Sequence, residues 1–338
     1  FWLKAQAATP PWQHGLPLLH SLAMTEPPVK KAKTDGEEER AEEPKEPKPE
    51  EGPQEQAAPQ ELEEDAPGDG SLRIQVPVTF HTEDTTLNCM PSLFGNMLMP
   101  LSDGGLQYLF AGARACVGLK SGRYMFEVKI LEHLHPGEDP SARQKAPMPR
   151  NQLRVGFSAF GSSLILGSTE ESVCFNNEGA LMHNNVKIVL FERFAGGDVV
   201  GVLLNLDDKS PNHNTISLFR NGARQCQPQP LPESLHGKAL FPAIAFRNVT
   251  LHYNFGPAPI CPLPFTCRMV HEASLDDAEV VEPADRGEGK REVLFPVCLP
   301  DAGTFDWLDM FLEKNRHYME LSDRCVLSWA EKSGLKRP

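Results

Sequence analysis

Residues 72–265 are predicted to form an all-β antiparallel sandwich, on three observations. Apolar and polar side chains alternate in short runs, turn signals separate the runs, and no long stretch carries a helical period. A disordered acidic tail is expected before this domain (residues 1–71). A linker (266–292) and a short piece of strand plus helices (293–338) are expected after it.

The strands follow in chain order. Tyr124, Phe126, Val128 and Ile130 alternate with Met125, Glu127 and Lys129, the period of two of a half-buried strand. Leu153, Val155 and Phe157 repeat it. Val199 to Leu204 is almost wholly apolar and reads as a fully buried strand. Ile216 and Leu218 alternate with Thr215 and Ser217, and Asn221-Gly222 follows, a dipeptide that favours a two-residue hairpin turn. Leu251, Tyr253 and Phe255 give a last strand, ended by Gly256-Pro257. Two long polar loops interrupt the pattern, His133 to Asn151 and Asp207 to Asn214. Long loops at the end of a rigid sandwich are where binding usually sits.

The flanks read differently. Between Met24 and Gly70, 16 acidic residues stand against 6 basic ones. With almost no aromatic side chains, that stretch cannot bury enough apolar area to offset the entropy of ordering it. Within it, Pro27-Pro28-Val29-Lys30-Lys31-Ala32-Lys33 is a short basic cluster of the kind a nuclear import receptor reads, so Lys30, Lys31 and Lys33 predict a nuclear protein. Residues 1–23 begin at Phe1 and lack the charged start and longer apolar middle of a secretory signal; translation is expected to begin at Met24. Beyond the linker, Val293 to Val297 reads as a strand. Phe305, Leu308, Phe311 and Leu312 share one helical face, and Val326, Leu327 and Ala330 another.

Composition narrows the function. No apolar run approaches the length that crosses a bilayer, so no membrane partner is expected. The formal net charge of −13 argues against broad binding to phosphate backbones, which needs clustered Lys and Arg. None of the eight cysteines forms a C-x-x-C pair, and the ordinary reading is buried, reduced thiols. The eleven histidines are scattered without metal-ligand spacing, and G-x-S-x-G is absent. Asp207-Asp208 and Asp276-Asp277 lie in loops as solvated charge. Neither enzymatic activity nor a cofactor is expected.

The strand motifs, taken together, resemble a SPRY (B30.2-like) domain. Leu109 to Ala115 and Gly122 to Val128 are similar to its opening, and Leu153-Arg154-Val155-Gly156-Phe157-Ser158 to its R-V-G-[WF]-S strand. Gly197-Asp198-Val199-Val200-Gly201 resembles its G-D-x-[IV]-G strand, Asn221-Gly222 its hairpin, and Phe241-Pro242 with Asn254-Phe255-Gly256 its closing elements. The resemblance implies a concanavalin-like sandwich that presents loops to a protein or peptide segment. Arg114, Arg143, Lys145, Arg150, Asn221, Arg224 and Arg247 are the candidate contacts, as polar residues in or near predicted loops.

Ala111 to Lys129 also resembles the A-G-x-R-A … K-G-x-x-x-F-E-x-K opening of the SPRY domain in the heterogeneous nuclear ribonucleoprotein U family. In that family a P-loop domain follows, starting I-G-L-P-G-A-G-K-T-T-W. Val297 to Trp307 is similar, with Pro300, Ala302, Gly303 and Trp307 matching. A phosphate cradle needs a first Gly, a Lys and a Ser or Thr. Here Cys298, Thr304 and Phe305 replace them and Asp301 adds a negative charge, so residues 293–338 are expected to be a degenerate remnant or truncated start that does not bind ATP. Neither a SAP-type helix pair nor an Arg-Gly-Gly tract is visible. The resemblance thus implies a nuclear ribonucleoprotein-associated binding module, with RNA held indirectly through protein. The other reading is a SPRY adaptor without an RNA role, serving ubiquitin-ligase or chromatin assemblies.

Overall fold

The computed structural model describes residues 61–68, 70–92, 95–135, 149–281, 304–315, 320 and 322–335. Seventeen strands lie among them: β1 (Phe80–Thr85), β2 (Cys89–Pro91), β3 (Met97–Pro100), β4 (Ala111–Ala115), β5 (Val117–Leu119), β6 (Gly122–His133), β7 (Gln152–Ala159), β8 (Ser172–Asn176), β9 (Ala180–His183), β10 (Val186–Val189), β11 (Val199–Leu206), β12 (Thr215–Arg220), β13 (Ala223–Arg224), β14 (Gln229–Pro230), β15 (Leu240–Arg247), β16 (Val249–Asn254) and β17 (Ala278–Val280). Two helices follow, α1 (Thr304–Lys314) and α2 (Asp323–Lys332). The strands form two antiparallel sheets. The first runs β1-β4-β15-β7-β8-β9-β10, with β5 on β15 and β17 on β5. The second runs β13-β12-β11-β6-β16-β3-β2, with β14 on β12. This is the expected sandwich, and the motifs that resemble a SPRY domain fall on β4, β6, β7, β11, the β12–β13 turn, β15 and β16.

The inner faces meet through the alternating apolar residues. Phe126 of β6 and Phe157 of β7 pack edge to face at 5.4 Å across the gap between the sheets. Phe80 of β1 and Tyr253 of β16 do so at 4.8 Å. Val128, Val202, Leu204 and Leu218 from the second sheet, with Val155, Phe175, Ile244 and Phe246 from the first, are fully buried in the same cluster. Each such side chain contributes about 1.5–3 kcal/mol by leaving water. The apolar run of β11 has a physical reason: Leu203, on its outer face, is covered too, in a second cluster with Met125, Phe219, Phe265 and Met269. The Asn221-Gly222 turn forms as expected, with φ of 53° and 83° and Phe219 paired with Arg224. Positive φ at both positions is what a two-residue hairpin of this hand requires.

Three boundaries differ from the sequence reading. Part of the expected tail, residues 61–68, is seated on the sandwich, with Glu63 only 5% exposed. The expected linker is structured through Val280: Met269 and Val270 are fully buried, and β17 pairs with β5. Too few apolar residues mark this stretch for periodicity to show it. Third, the Val326 and Leu327 stripe is exposed, at 48% and 54%. Helix α2 docks by its C-terminal end instead. Ser333 Oγ accepts from the Phe110 N–H at 2.8 Å, and the Ser333 carbonyl accepts from Arg247 Nη1 at 2.8 Å. A cation at the negative end of a helix is favourable. The expected strand at Val293–Val297 lies outside the described residues.

Candidate partner-binding site

The recognisable motifs turn out to be hydrogen-bonded to one another. Arg114, in the Ala-Gly-Ala-Arg-Ala of β4, donates from Nε to Ser158 Oγ at 2.9 Å, the last residue of the Arg-Val-Gly-Phe-Ser stretch on β7. Glu127 of β6 accepts from the Asn254 side-chain amide at 2.9 Å, at the Asn-Phe-Gly end of β16. Asp198 of the Gly-Asp pair accepts from the Asn221 side-chain amide at 2.9 Å and pairs with Arg220 Nε at 2.8 Å. Burial pushes the Asp198 carboxyl up, but the Ala195 N–H, Asn221 and Arg220 outweigh it and hold the group below its ordinary range. At Glu127 burial wins and raises the carboxyl, against the Ile260 N–H, Asn254 and the Cys261 N–H. These polar residues join strands to turns inside the domain.

Two candidate contacts are corrected on this basis. Arg114 is fully buried and Arg247 only 6% exposed; both lie on strands of the first sheet, not in loops. Arg114 pairs with Asp84 at 2.9 Å and donates to the Ser162 carbonyl at 2.6 Å. Arg247 donates to the carbonyls of Tyr108 at 2.7 Å and Ser333, and to Gln152. Burial, with Arg154 and Arg150 adding repulsion, brings its guanidinium down to about 10. Arg154 and Arg247 lie over the Phe110 ring at 4.4 Å and 5.0 Å. Arg154 also donates to the Leu166 carbonyl at 2.7 Å. The segment around 160–168 therefore seals this outer face. Gly156 permits the close approach of β7 and β8: a Cβ there would stand 2.1 Å from the Val173 carbonyl oxygen. An arginine in an apolar strand read as a loop residue from sequence. The alternating small residues on either side were the available sign that it points into a covered face.

The outer face of the second sheet is built differently. Arg123 of β6, Arg224 of β13 and Arg268 carry a segment without regular secondary structure, Glu61 to Pro67, laid across them. Glu61 Oε1 accepts from Arg224 Nε at 2.8 Å. Glu63 Oε2 pairs with Arg123 Nη1 at 2.7 Å and accepts from the Asn205 amide at 3.2 Å. Asn212 donates to the Leu62 carbonyl at 2.9 Å and to Glu63 at 3.2 Å. Asp65 accepts from the Thr266 N–H at 2.5 Å, and the Ala66 N–H donates to the Thr266 carbonyl at 2.8 Å. The Pro67 carbonyl accepts from Arg268. The Thr266 N–H, with Arg123 nearby, holds the Asp65 carboxyl below its usual range. Below the segment, Arg224 lies over Phe219 at 4.7 Å and Arg123 over Phe265 at 5.6 Å. Of the expected contacts, this face gathers Arg224 and, by the adjoining turn, Asn221. Arg123, Arg268 and the acidic segment escaped the sequence reading. The one signal was the alternate spacing of Glu61, Glu63 and Asp65.

Arg150 is exposed, and its carbonyl accepts from Arg247 Nε at 3.3 Å. Arg143, Lys145, Lys30, Lys31, Lys33, Cys298, Asp301 and Gly303 lie outside the described residues; Thr304 and Phe305 open helix α1. Burial pushes the thiols of Cys89, Cys174 and Cys267 up to about 12, which keeps them protonated at neutral pH. Among the described residues, no group of three or more His, Cys, Asp or Glu could hold a metal ion, and no helix is long and apolar enough to cross a membrane.

No protein-family model matches the chain. Its sequence is similar to Heterogeneous nuclear ribonucleoprotein U-like protein 2 of Mus musculus, 26% identical over 76% of this chain and 34% of that protein. It is similar also to the protein of the same name from Homo sapiens, 25% identical over 82% of this chain and 36% of that protein. The chain thus spans about a third of the length of these curated relatives. Among solved structures, the SPRY domain of human HERC1 aligns with a TM-score of 0.39 and 19% identity, covering 53% of this chain and 99% of that one.

Proposed function

We propose that this chain is a non-enzymatic nuclear binding module, linked to RNA processing or RNA-bound scaffolding through protein contacts made by its sandwich. One observation carries the reading: the resemblance to heterogeneous nuclear ribonucleoprotein U-like proteins extends over most of the chain. The arrangement of polar groups supports binding over catalysis. Arg114, Glu127 and Asp198 are each engaged in holding strands and turns. The basic cluster at Lys30, Lys31 and Lys33 supports nuclear import.

The acidic net charge of −13 favours a second reading, an adaptor for protein partners with no RNA in the assembly. Affinity purification of the full chain from nuclear extract, with and without ribonuclease, separates the two. RNA-processing proteins that leave on ribonuclease treatment are the expected result. A partner set that survives ribonuclease unchanged would favour the adaptor. Loss of nuclear accumulation on replacing Lys30, Lys31 and Lys33 by Ala tests the location.

A further inference from the structure

We propose that the outer face of the second sheet is a receptor groove for short acidic peptides with carboxylates at alternate positions. The chain's own Glu61 to Pro67 fills it in cis, and a partner's acidic segment enters by displacing that strap. This names the partner class of the binding module proposed above and rests on that reading.

The argument starts from the strap's geometry. The strap bends at Leu62 and Glu63, whose N–H groups donate to Glu61 Oε1 at 3.0 Å and 3.2 Å. Glu61, Glu63 and Asp65 all turn toward the protein, onto Arg224, Arg123 and the Thr266 N–H. The backbone between them is also held, by Asn212 on the Leu62 carbonyl and by Arg123 Nη2 on the Glu64 carbonyl at 2.5 Å, and just beyond them the Ala66 N–H donates to the Thr266 carbonyl. Backbone contacts are indifferent to side-chain identity, while the arginines select carboxylates. The combination reads an acid-x-acid-x-acid pattern in a chain that takes the strap's path.

The groove is preorganised independently of the strap. Arg224 and Arg123 lie over the Phe219 and Phe265 rings at 4.7 Å and 5.6 Å, contacts that do not involve the strap. Arg224 Nη1 and Ser217 Oγ, both on this side of the sheet, are buried with no hydrogen-bond partner among the described residues. The strap therefore leaves polar capacity in the groove that a better-fitting ligand can use. Charge complementarity commits the occupant to an acidic peptide: three arginines face it, and the carboxylates of Glu61, Glu63 and Asp65 meet Arg224, Arg123 and the Thr266 N–H.

Displacement is feasible because the strap lies outside both sheets. An occupant joined to its groove by a short stretch of chain competes at roughly millimolar effective concentration. A free peptide that binds the vacant groove at about 0.1 mM would thus see roughly a tenfold handicap in the intact chain.

The test uses the full chain carrying Glu61→Gln, Glu63→Gln and Asp65→Asn. It is titrated with a fluorescein-labelled peptide of residues 61–68, followed by anisotropy at low salt. The expected result is binding about tenfold tighter than to the unaltered chain, lost when Arg224→Gln is added and weakened by salt. No binding to the folded variant, binding indifferent to Arg224→Gln, or capture of a single-stranded oligouridylate in place of the peptide would each overturn the proposal. If the variant does not fold, hydrogen exchange at Ala66 in the unaltered chain decides. Faster exchange with saturating peptide supports displacement, and unchanged exchange contradicts it. A ribonuclease purification that yields partners while the groove ignores acidic peptide removes this inference and leaves the module reading standing.

Discussion

The two outer faces of the sandwich each bear arginines lying over phenylalanine rings, yet they use them for opposite ends. On the first sheet, Arg154 and Arg247 over Phe110 donate to carbonyls at Leu166, Tyr108 and Ser333, and Arg114 donates to Ser158 and Ser162. Most of those acceptors are backbone groups or hydroxyls of covering segments, so these arginines fasten loop and helix to sheet. On the second sheet, Arg224 and Arg123 over Phe219 and Phe265 meet the carboxylates of Glu61 and Glu63. Those carboxylates sit on a strap outside both sheets. An arginine whose partners belong to the sandwich and the segments covering it is part of the fold. One whose partners lie on a strap outside both sheets can change them.

The largest effect expected from breaking this contrast is at Arg114. Arg114→Ala breaks the ion pair with Asp84 and removes the bonds to Ser158 and Ser162. It should cost about 3 kcal/mol, measured by urea unfolding. Gly156→Ala tests the same face sterically. Its Cβ would collide with β8, and the expected loss is about 1–3 kcal/mol, read as a lower melting temperature. Ser333→Ala leaves the Phe110 N–H without its acceptor and should cost about 1 kcal/mol. Arg224→Gln, on the other face, should lower stability by about 1 kcal/mol or less while markedly speeding Glu-specific proteolysis at Glu61 to Glu64. Equal losses of stability from Arg114→Ala and Arg224→Gln would erase the distinction between the faces.

A pH effect sharpens the comparison at the hairpin. Asp198 has a depressed carboxyl in the folded chain. It therefore contributes stability that is present above the unfolded value near pH 3.9 and lost as pH falls through the lower folded value. Asp198→Asn should be less stable than the parent at pH 7. The difference should shrink in acid, as followed by denaturant midpoints from pH 7 to 2. A constant difference across that range would mean that Asp198 acts through its shape and not its charge.

Much of the architecture was legible because burial writes itself into a period of two. Tyr124 to Ile130, Leu153 to Phe157 and Leu251 to Tyr253 lie on strands of the sandwich with their apolar side chains buried, and Phe255 is buried just past the end of β16. The Asn221-Gly222 turn was legible because few residues accept positive φ in succession. Function-bearing positions were harder. Arg114 and Arg247 looked like loop contacts since charge ordinarily marks surface, and nothing in periodicity shows that a second layer covers a sheet's outer face. Glu61 to Asp65 vanished into an acidic tail, because composition reports what cannot form a core and is silent on what can lie on one. Met269 and Val270 are too few to make a pattern, though both are fully buried.

Native-state hydrogen exchange of the unaltered chain measures the difference between the faces directly, residue by residue. The Ala66 N–H should exchange through a local opening far below the free energy of global unfolding, because only the strap need lift. The Ser168 N–H, in the segment sealing the first sheet, should exchange only near the global value. Protection of Ala66 equal to that of Ser168 would show the strap to be as much a part of the fold as the loop, and would contradict an exchangeable second face.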